Sequence, residues 1–346
     1  MAPSLGPSSP AHTPDAPRSF ATSRRPGSVN ARSTSPRPAA PKRPRRHAKI
    51  LPTIATALVV GLTVSGCSAL SDDDNGKKDV LATFTVLADI AQNVAGDHVN
   101  VNSLTKPGTE IHGYDPTPSD LKSAAKADLI IANGLGLEHW LDKLTSNSDA
   151  KRVVATDGIE PLPIADGEAS GEDNPHAWMS PTNVKKYAST IAKALGDIDP
   201  DHKDDYNDNA KNYSAKLDTI GNDLRADLET VPKDKRALVT CEGAFSYLAK
   251  DAGLTEHYIW PVNAETEATP QRMKDTEEFV RKHQVPAVFC ESTVDSGPRE
   301  QIVRATGAKD GGILYVDSLS DQDGPVPTYL DLIRYDADTI SKGLTS

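Results

Sequence analysis

DHKDDYNDNAKNYSAKLDTIGNDLRADLETV, residues 201–231, sets the architecture of the chain. Tyr206, Tyr213, Leu217, Ile220, Leu224 and Leu228 recur on one helical face and no proline interrupts the stretch, so the period predicts a single helix. A helix of about 28 residues at 1.5 Å per residue is ~42 Å long, enough to run the length of a two-lobed body. Just ahead of it, residues 181–195 put Val184, Tyr187, Ala188, Ile191 and Leu195 on a similar face and predict a second helix.

Outward from this helix, apolar runs alternate with helical patterns. On the N-terminal side the expected strands are VLATFTVL (80–87), VNVNSLT (99–105), DLIIANG (128–134) and RVVAT (152–156). Helices are expected after the first strand, over 116–127 and over 135–144. Past Pro232 the alternation resumes with ALVTC (237–241), LTEHYIW (254–260), PAVFC (286–290) and GILYV (312–316). Strands alternating with helices argue for parallel sheets. The expected class is α/β, with a lobe over 80–200, a linking helix over 201–232 and a second lobe over 233–346.

Four side chains stand at positions where such folds bind ligands, beyond the carboxyl ends of strands. His112 lies in TEIHGYDPTP and His176 in EDNPHAWMSP, both in loops, while Glu242 follows ALVTC and Asp317 follows GILYV. Two imidazoles and two carboxylates suit a divalent cation held in the cleft between lobes. Each also has a plainer reading: a loop histidine at the surface, Glu242 as the N-terminal charge of the next helix, Asp317 as a turn cap.

Charge divides the chain. Residues 1–66 carry ten basic side chains and one acidic, a net +9, and the remainder carries 28 basic and 48 acidic, a net −20. An acidic body repels phosphate, which argues against nucleic acid as a partner. The leader is rich in Pro, Ser, Arg and Ala up to residue 49, then runs uncharged through ILPTIATALVVGLTVSG (50–66) to Cys67. That run is short for a bilayer span and follows a basic stretch, as a signal-peptide core does. Val64-Ser65-Gly66-Cys67 resembles the bacterial lipobox, which implies lipidation of Cys67, a polar tether through residue 79 and a place on the extracytoplasmic face of the cell membrane.

The blocks IHGYDPTPSDLKSAAKADLIIANGLGLEHWL, NPHAWMSPTNVKKYASTIAKAL, CEGAFSYLAKDAGL, YIWPVNAETEATP, VFCESTVDS and YVDSLSDQDGPVPTYLDLI together resemble the manganese/zinc-binding lipoproteins of bacterial ABC importers, the cluster A-I solute-binding proteins. The resemblance implies two (β/α)₄ lobes bridged by one long helix. It also implies a metal held by His112, His176, Glu242 and Asp317, an ABC permease with its ATPase subunit as partners, a monomer, and no catalysis. Zinc-type members of that family usually carry His where this chain has Glu242, and often a His-rich loop where residues 162–175 here contain none. Both features point to Mn²⁺ as the transported ligand, with Zn²⁺ or Fe²⁺ as alternatives. A surface metallohydrolase using the same residues is the rival from another class, and no H-E-x-x-H, G-x-S-x-G or P-loop pattern supports it.

Cys241 and Cys290 remain once Cys67 is set aside. In an oxidising compartment they are candidates for a disulfide; free buried thiols and a soft metal ligand are the alternatives. His98, His202, His283 and His139 read as surface residues and His257 as a packing residue. Trp178 and Trp260 read as core or cleft wall. Glu265, Glu267 and Glu291 read either as lining the cleft entrance or as solvated charge.

Overall fold

The computed structural model describes residues 76–167, 169–262 and 268–345. The leader, the lipobox with Cys67, most of the tether, Glu265 and Glu267 lie outside the described residues.

The first lobe runs β1 (Asp79–Ala82), α1 (Thr85–Ala95), β2 (Asn100–Ser103), α2 (Pro118–Lys126), β3 (Leu129–Ala132), α3 (Leu141–Thr145) and β4 (Lys151–Val154). Two antiparallel helices follow, α4 (Pro181–Ile198) and α5 (Lys203–Leu228), joined through a 3₁₀ turn at Pro200–His202. The second lobe runs β5 (Ala237–Glu242), α6 (Ser246–Ala252), β6 (Thr255–Trp260), α7 (Pro270–His283), β7 (Ala287–Glu291), α8 (Gly297–Thr306), β8 (Lys309–Leu314) and α9 (Tyr329–Thr345). Each lobe holds a parallel four-stranded sheet, ordered β2-β1-β3-β4 and β6-β5-β7-β8. The two orders are the same, with the first strand of each lobe inside the sheet. Strand order therefore reverses between β1 and β3 and between β5 and β7, the switch points at which such sheets leave a crevice.

Local chemistry explains the helix starts. The Thr117 side chain accepts from the Asp120 N–H while Asp120 reaches back to the Thr117 N–H, and Pro118 opens α2, a reciprocal cap that satisfies donors the helix leaves exposed. Ser180 caps α4 by accepting from the Asn183 N–H, again with proline following. Gly253 and Gly307 end α6 and α8 in the left-handed conformation.

Two expectations change. The run at 80–87 is not one strand: β1 stops at Ala82, and Thr85, Val86 and Leu87 are already the buried first turn of α1. Every residue from Val80 to Leu87 is buried, so strand and helix were equally apolar and periodicity had nothing to separate them. The helix expected over 135–144 begins only at Leu141. Ahead of it the chain reverses through Gly134 (φ 88°) and Leu135 (φ 52°). A Cβ on Gly134 would stand 2.4 Å from the Val154 side chain, so only glycine fits that corner.

The long helix is 26 residues, about 39 Å at 1.5 Å per residue. Its face of Tyr206, Tyr213, Leu217, Ile220, Leu224 and Leu228 is buried as the period requires. These residues belong to one apolar cluster that also contains Phe84, Val86 and Tyr187 of the first part of the chain and Phe245, Leu332 and Ile340 of the second. The lobes thus share this core, and each also closes a smaller apolar cluster of its own. Truncating fully buried Leu217 to Ala would cost about 2–5 kcal/mol and loosen both lobes at once.

Hydrogen bonds stitch the seam. Trp178 Nε1 donates to the Val316 carbonyl (3.0 Å), the Leu319 N–H to Thr85 Oγ1 (3.0 Å), the Gly108 N–H to Ser318 Oγ (2.7 Å) and the Tyr329 N–H to Asp89 Oδ1 (2.9 Å). Among the described residues no helix is long and apolar enough to cross a membrane.

Candidate metal centre

All four expected side chains converge at the strand ends between the lobes. Glu242 is the last residue of β5, which places its carboxylate at the switch point beside β7. Asp317 lies three residues beyond the end of β8, His112 in the loop after β2, and His176 just before a 3₁₀ turn at Ala177–Met179 that leads into α4. His112 Nε2 is 3.0 Å from His176 Nε2, 3.5 Å from Glu242 Oε1 and 3.9 Å from Asp317 Oδ1. His176 Nε2 is 3.8 Å from each of the same two carboxylate oxygens. Bonds of about 2.1 Å to a tetrahedral dication would set its donors ~3.4 Å apart. The observed imidazole–imidazole and imidazole–carboxylate separations bracket that value, as expected of donors around a single first-row cation.

Burial makes the arrangement costly unless a cation enters it. His176 and Glu242 are fully buried, Asp317 is 1 % exposed and His112 8 %. Asp317 Oδ2 accepts from Thr293 Oγ1 at 3.2 Å, while Oδ1, the oxygen that faces the imidazoles, has no hydrogen-bond partner among the described residues. Buried polar atoms are normally paired, and a buried charge is paired or coordinates a metal. Burial pushes the Asp317 carboxyl above its ordinary value, with the His112 side chain pulling the other way.

The two imidazoles differ in kind. Burial, with His112 adding to it, holds His176 well below the ordinary imidazole value, so it is neutral. Asn174 fixes its tautomer: the Asn174 Oδ1 atom accepts from the His176 N–H (3.0 Å) and from Nδ1 (2.9 Å). That leaves the Nε2 lone pair pointing at the carboxylates, as a metal ligand requires. Asn174 Nδ2 in turn donates to the Gly243 carbonyl at 2.8 Å, next to Glu242, so one amide links a donor of the first lobe to a donor of the second. For His112 burial opposes the charged form, but the carboxylates of Glu242, Asp317, Glu110 and Glu138 outweigh it and the net shift is upward. A protonated His112 Nε2 donating to the His176 lone pair accounts for the 3.0 Å contact. A cation entering the site would displace that proton.

Supporting groups escaped the sequence reading. Glu138 is buried and accepts from Thr83 Oγ1 (2.7 Å), the Asn133 N–H (2.7 Å) and the Gly134 N–H (3.0 Å), tying together the ends of β1 and β3. Glu110, two residues before His112, accepts from the His112 and Gly113 N–H groups at 2.6 and 3.0 Å. For Asn174 and Glu110 a signal existed, since each stands two residues before a ligand-type histidine that needs an orienting partner. Glu138 and Thr293 gave none, because only the fold brings them near.

Other candidates resolve differently. Cys241 and Cys290 are joined in a disulfide between β5 and β7, with Cα atoms 4.8 Å apart. Glu291 is neither cleft rim nor solvated. It is fully buried, its Oε2 accepts from the Glu242 N–H at 3.1 Å, and burial raises its carboxyl to about 8. His98 and His202 are only half-exposed: their rings stack with centroids 3.9 Å apart, and each imidazole meets an aspartate, Asp205 and Asp199. His257 stacks on Phe279 at 4.2 Å and His283 stacks on the same ring at 4.3 Å, so His283 packs rather than standing free in solvent. His139 is exposed, in the turn ahead of α3. Trp178 and Trp260 are buried, and the Trp178 ring lies 4.9 Å from that of His176.

Comparison with known proteins gives a consistent set. Residues 80–343 match the profile described as "ZnuA: Zinc-uptake complex component A periplasmic". The chain is 51 % identical over 272 residues to the "Iron-binding protein YfeA" of Yersinia pestis, covering 78 % of this chain and 88 % of that one. It is 34 % identical over 294 residues to the manganese ABC transporter substrate-binding lipoprotein scaA of Streptococcus gordonii, covering 82 % and 95 %. Its fold superposes on the manganese-bound periplasmic metal-binding protein of Candidatus Liberibacter asiaticus with a TM-score of 0.73 at 41 % identity, covering 78 % of this chain and all of that one.

Proposed function

We infer the function from one premise: the chain belongs to the ZnuA family, zinc-uptake complex component A periplasmic proteins. It is the substrate-binding component of a metal ABC transporter, a receptor and not an enzyme. Beyond that shared role, its cargo is Mn²⁺, held by His112, His176, Glu242 and Asp317. The observation that carries this reading is Glu242. A buried carboxylate at the third donor position makes the set two nitrogens and two oxygens, and hard oxygen donors favour Mn²⁺ relative to nitrogen-rich sites although raw affinity still rises toward Zn²⁺. The manganese named for scaA and the manganese bound in the Liberibacter structure support the same cargo. Fe²⁺ is the second reading, favoured by the iron-binding name of the 51 % identical Yersinia protein.

The receptor is a monomer that rides on the outer face of the cell membrane through a lipid on Cys67 and hands its ion to a permease driven by a separate ATPase. Residues 80–200 and 233–346 act as its lobes and 201–232 as the strut between them. Elemental analysis of protein taken from its native membrane tests the cargo. Manganese in the majority is expected, iron in the majority selects the second reading, and zinc in the majority overturns the argument from Glu242. Cys67→Ala should release the protein from the membrane fraction, and unchanged membrane association would remove the anchor.

A further inference from the structure

The donors at the lobe seam form two overlapping sets rather than one. Donor atoms of His112, His176 and Glu242 lie within 4.8 Å of one another, and so do donor atoms of Glu110, His112 and Asp317. The sets differ in depth. Every member of the first is buried, whereas Glu110 is half-exposed, beside exposed Gly113. Going inward the order is Glu110, then His112 (8 % exposed), then Asp317 (1 %), then His176 and Glu242 with no exposed surface.

We propose that Glu110, His112 and Asp317 form an outer cation station, through which the transported ion passes on its way into and out of the buried site. The proposal rests on the metal-receptor reading above and adds the route. Three observations carry it. Among the five donors, Glu110 is half-exposed and His112 is 8 % exposed, while the other three have essentially no exposed surface, so the Glu110–His112 side is the solvent-facing edge of the cluster. His112 is common to both sets, and Asp317 Oδ1, 3.9 Å from His112 Nε2 and 3.8 Å from His176 Nε2, is buried and without a hydrogen-bond partner among the described residues. Finally, the exchange balances. His112 and Asp317 stay bound while Glu110 is replaced by Glu242 and His176, so the ion faces two carboxylates at each end of the step. Its double charge is neutralised throughout, which matters because an uncompensated ion in a buried site is costly. Glu110 keeps lone pairs for this task. A carboxylate offers about four acceptor sites, and two are taken by the His112 and Gly113 N–H groups. Those bonds hold its oxygens beside the His112 backbone, at the mouth.

The test is kinetic, on the full chain with Mn²⁺ alone. Trp178, whose ring is 4.9 Å from that of His176, serves as the fluorescent reporter in stopped flow, with a chelator jump giving release. Glu110→Gln keeps an oxygen for the His112 N–H but loses the charge. The expected result is that association and release both slow about tenfold while Kd moves less than threefold, since a group that acts only on the route changes both rates alike. Unchanged rates would overturn the station. So would a Kd weakened tenfold or more through release alone, which would make Glu110 part of the final site. Should Glu110→Gln fail to fold, Glu110→Asp, which keeps the charge but withdraws it, is expected to slow both rates by a smaller factor, and wild-type rates there would overturn the proposal. His176→Ala separates the two levels: wild-type Kd in that variant removes the buried site, and the route with it, whereas lost affinity with normal Glu110→Gln kinetics removes the route alone.

Discussion

The first lobe and the second contribute unlike halves to one site. The first supplies imidazoles from loops, His112 after β2 and His176 after β4, with Glu110 accepting from the His112 N–H and Asn174 Oδ1 accepting from His176 Nδ1. The second supplies carboxylates, Glu242 on the sheet itself and Asp317 just past β8, beside a disulfide that ties β5 to β7. One half is neutral or exchanges a proton, and the other carries the charge that balances a dication. The comparison teaches where selectivity and affinity reside. On the proposed metal reading, the second lobe supplies the charge neutralisation and, through Glu242, the hard donor on which preference for Mn²⁺ rests, while the first supplies the two imidazoles.

If the charged half dominates affinity, removing a carboxylate should cost most. Asp317→Ala is expected to weaken Mn²⁺ binding about a thousandfold, ~4 kcal/mol, while His112→Ala costs nearer tenfold; calorimetric titration that inverts this order breaks the comparison. The seam offers the next effect. Burial raises the Asp89 carboxyl to about 6, and its Oδ1 accepts the Tyr329 N–H at the start of α9. Because that value lies above the unfolded one of 3.8, the stability it contributes is full below about pH 4 and is lost as pH rises through 6. Two units at 1.36 kcal/mol each set a ceiling of ~3 kcal/mol. Asp89→Asn should therefore stabilise the protein in urea unfolding at pH 7.5 by up to that amount, and much less at pH 4.5. An equal gain at both values would show that the carboxyl does not titrate in the fold.

A smaller effect tests the support of the imidazole half. Asn174→Ala frees the His176 tautomer and is expected to weaken Mn²⁺ binding about tenfold to a hundredfold, the usual cost of losing a partner behind a ligand, without unfolding the apo protein. Wild-type affinity would mean the tautomer is set elsewhere. The last variant moves a nitrogen across the seam. Glu242→His should raise the Zn²⁺/Mn²⁺ affinity ratio about tenfold, ~1.4 kcal/mol, and a competition assay with an unchanged ratio would detach selectivity from donor type.

Much of this was legible beforehand, for uneven reasons. The face of Tyr206 to Leu228 has the helical period over about six turns, so the strut could be read directly, and its buried face is the one the spacing requires. The run 80–87 could not be divided because strand and helix are both buried there and the apolar pattern is continuous. His112, His176, Glu242 and Asp317 were identifiable as donor types beyond strand ends, and as positions matching blocks of a known family. Glu291 was misjudged because a glutamate in sequence looks solvated. Only its place under the Glu242 N–H, with no exposed surface, makes it a buried acid.

By itself the sequence determined the alternation of strands and helices, the single long strut and the chemistry of the four donors, since period, capping residues and side-chain type are local properties. The tertiary structure alone decided which carboxylate oxygens face which imidazole nitrogens, how deep each donor lies, and that Asn174 joins His176 to the backbone beside Glu242. Apart from the local Asn174–His176 pair, those contacts join residues from 64 (His112 and His176) to about 205 (His112 and Asp317) positions apart in the chain, set by how two sheets pack on a shared core, and no local pattern records them.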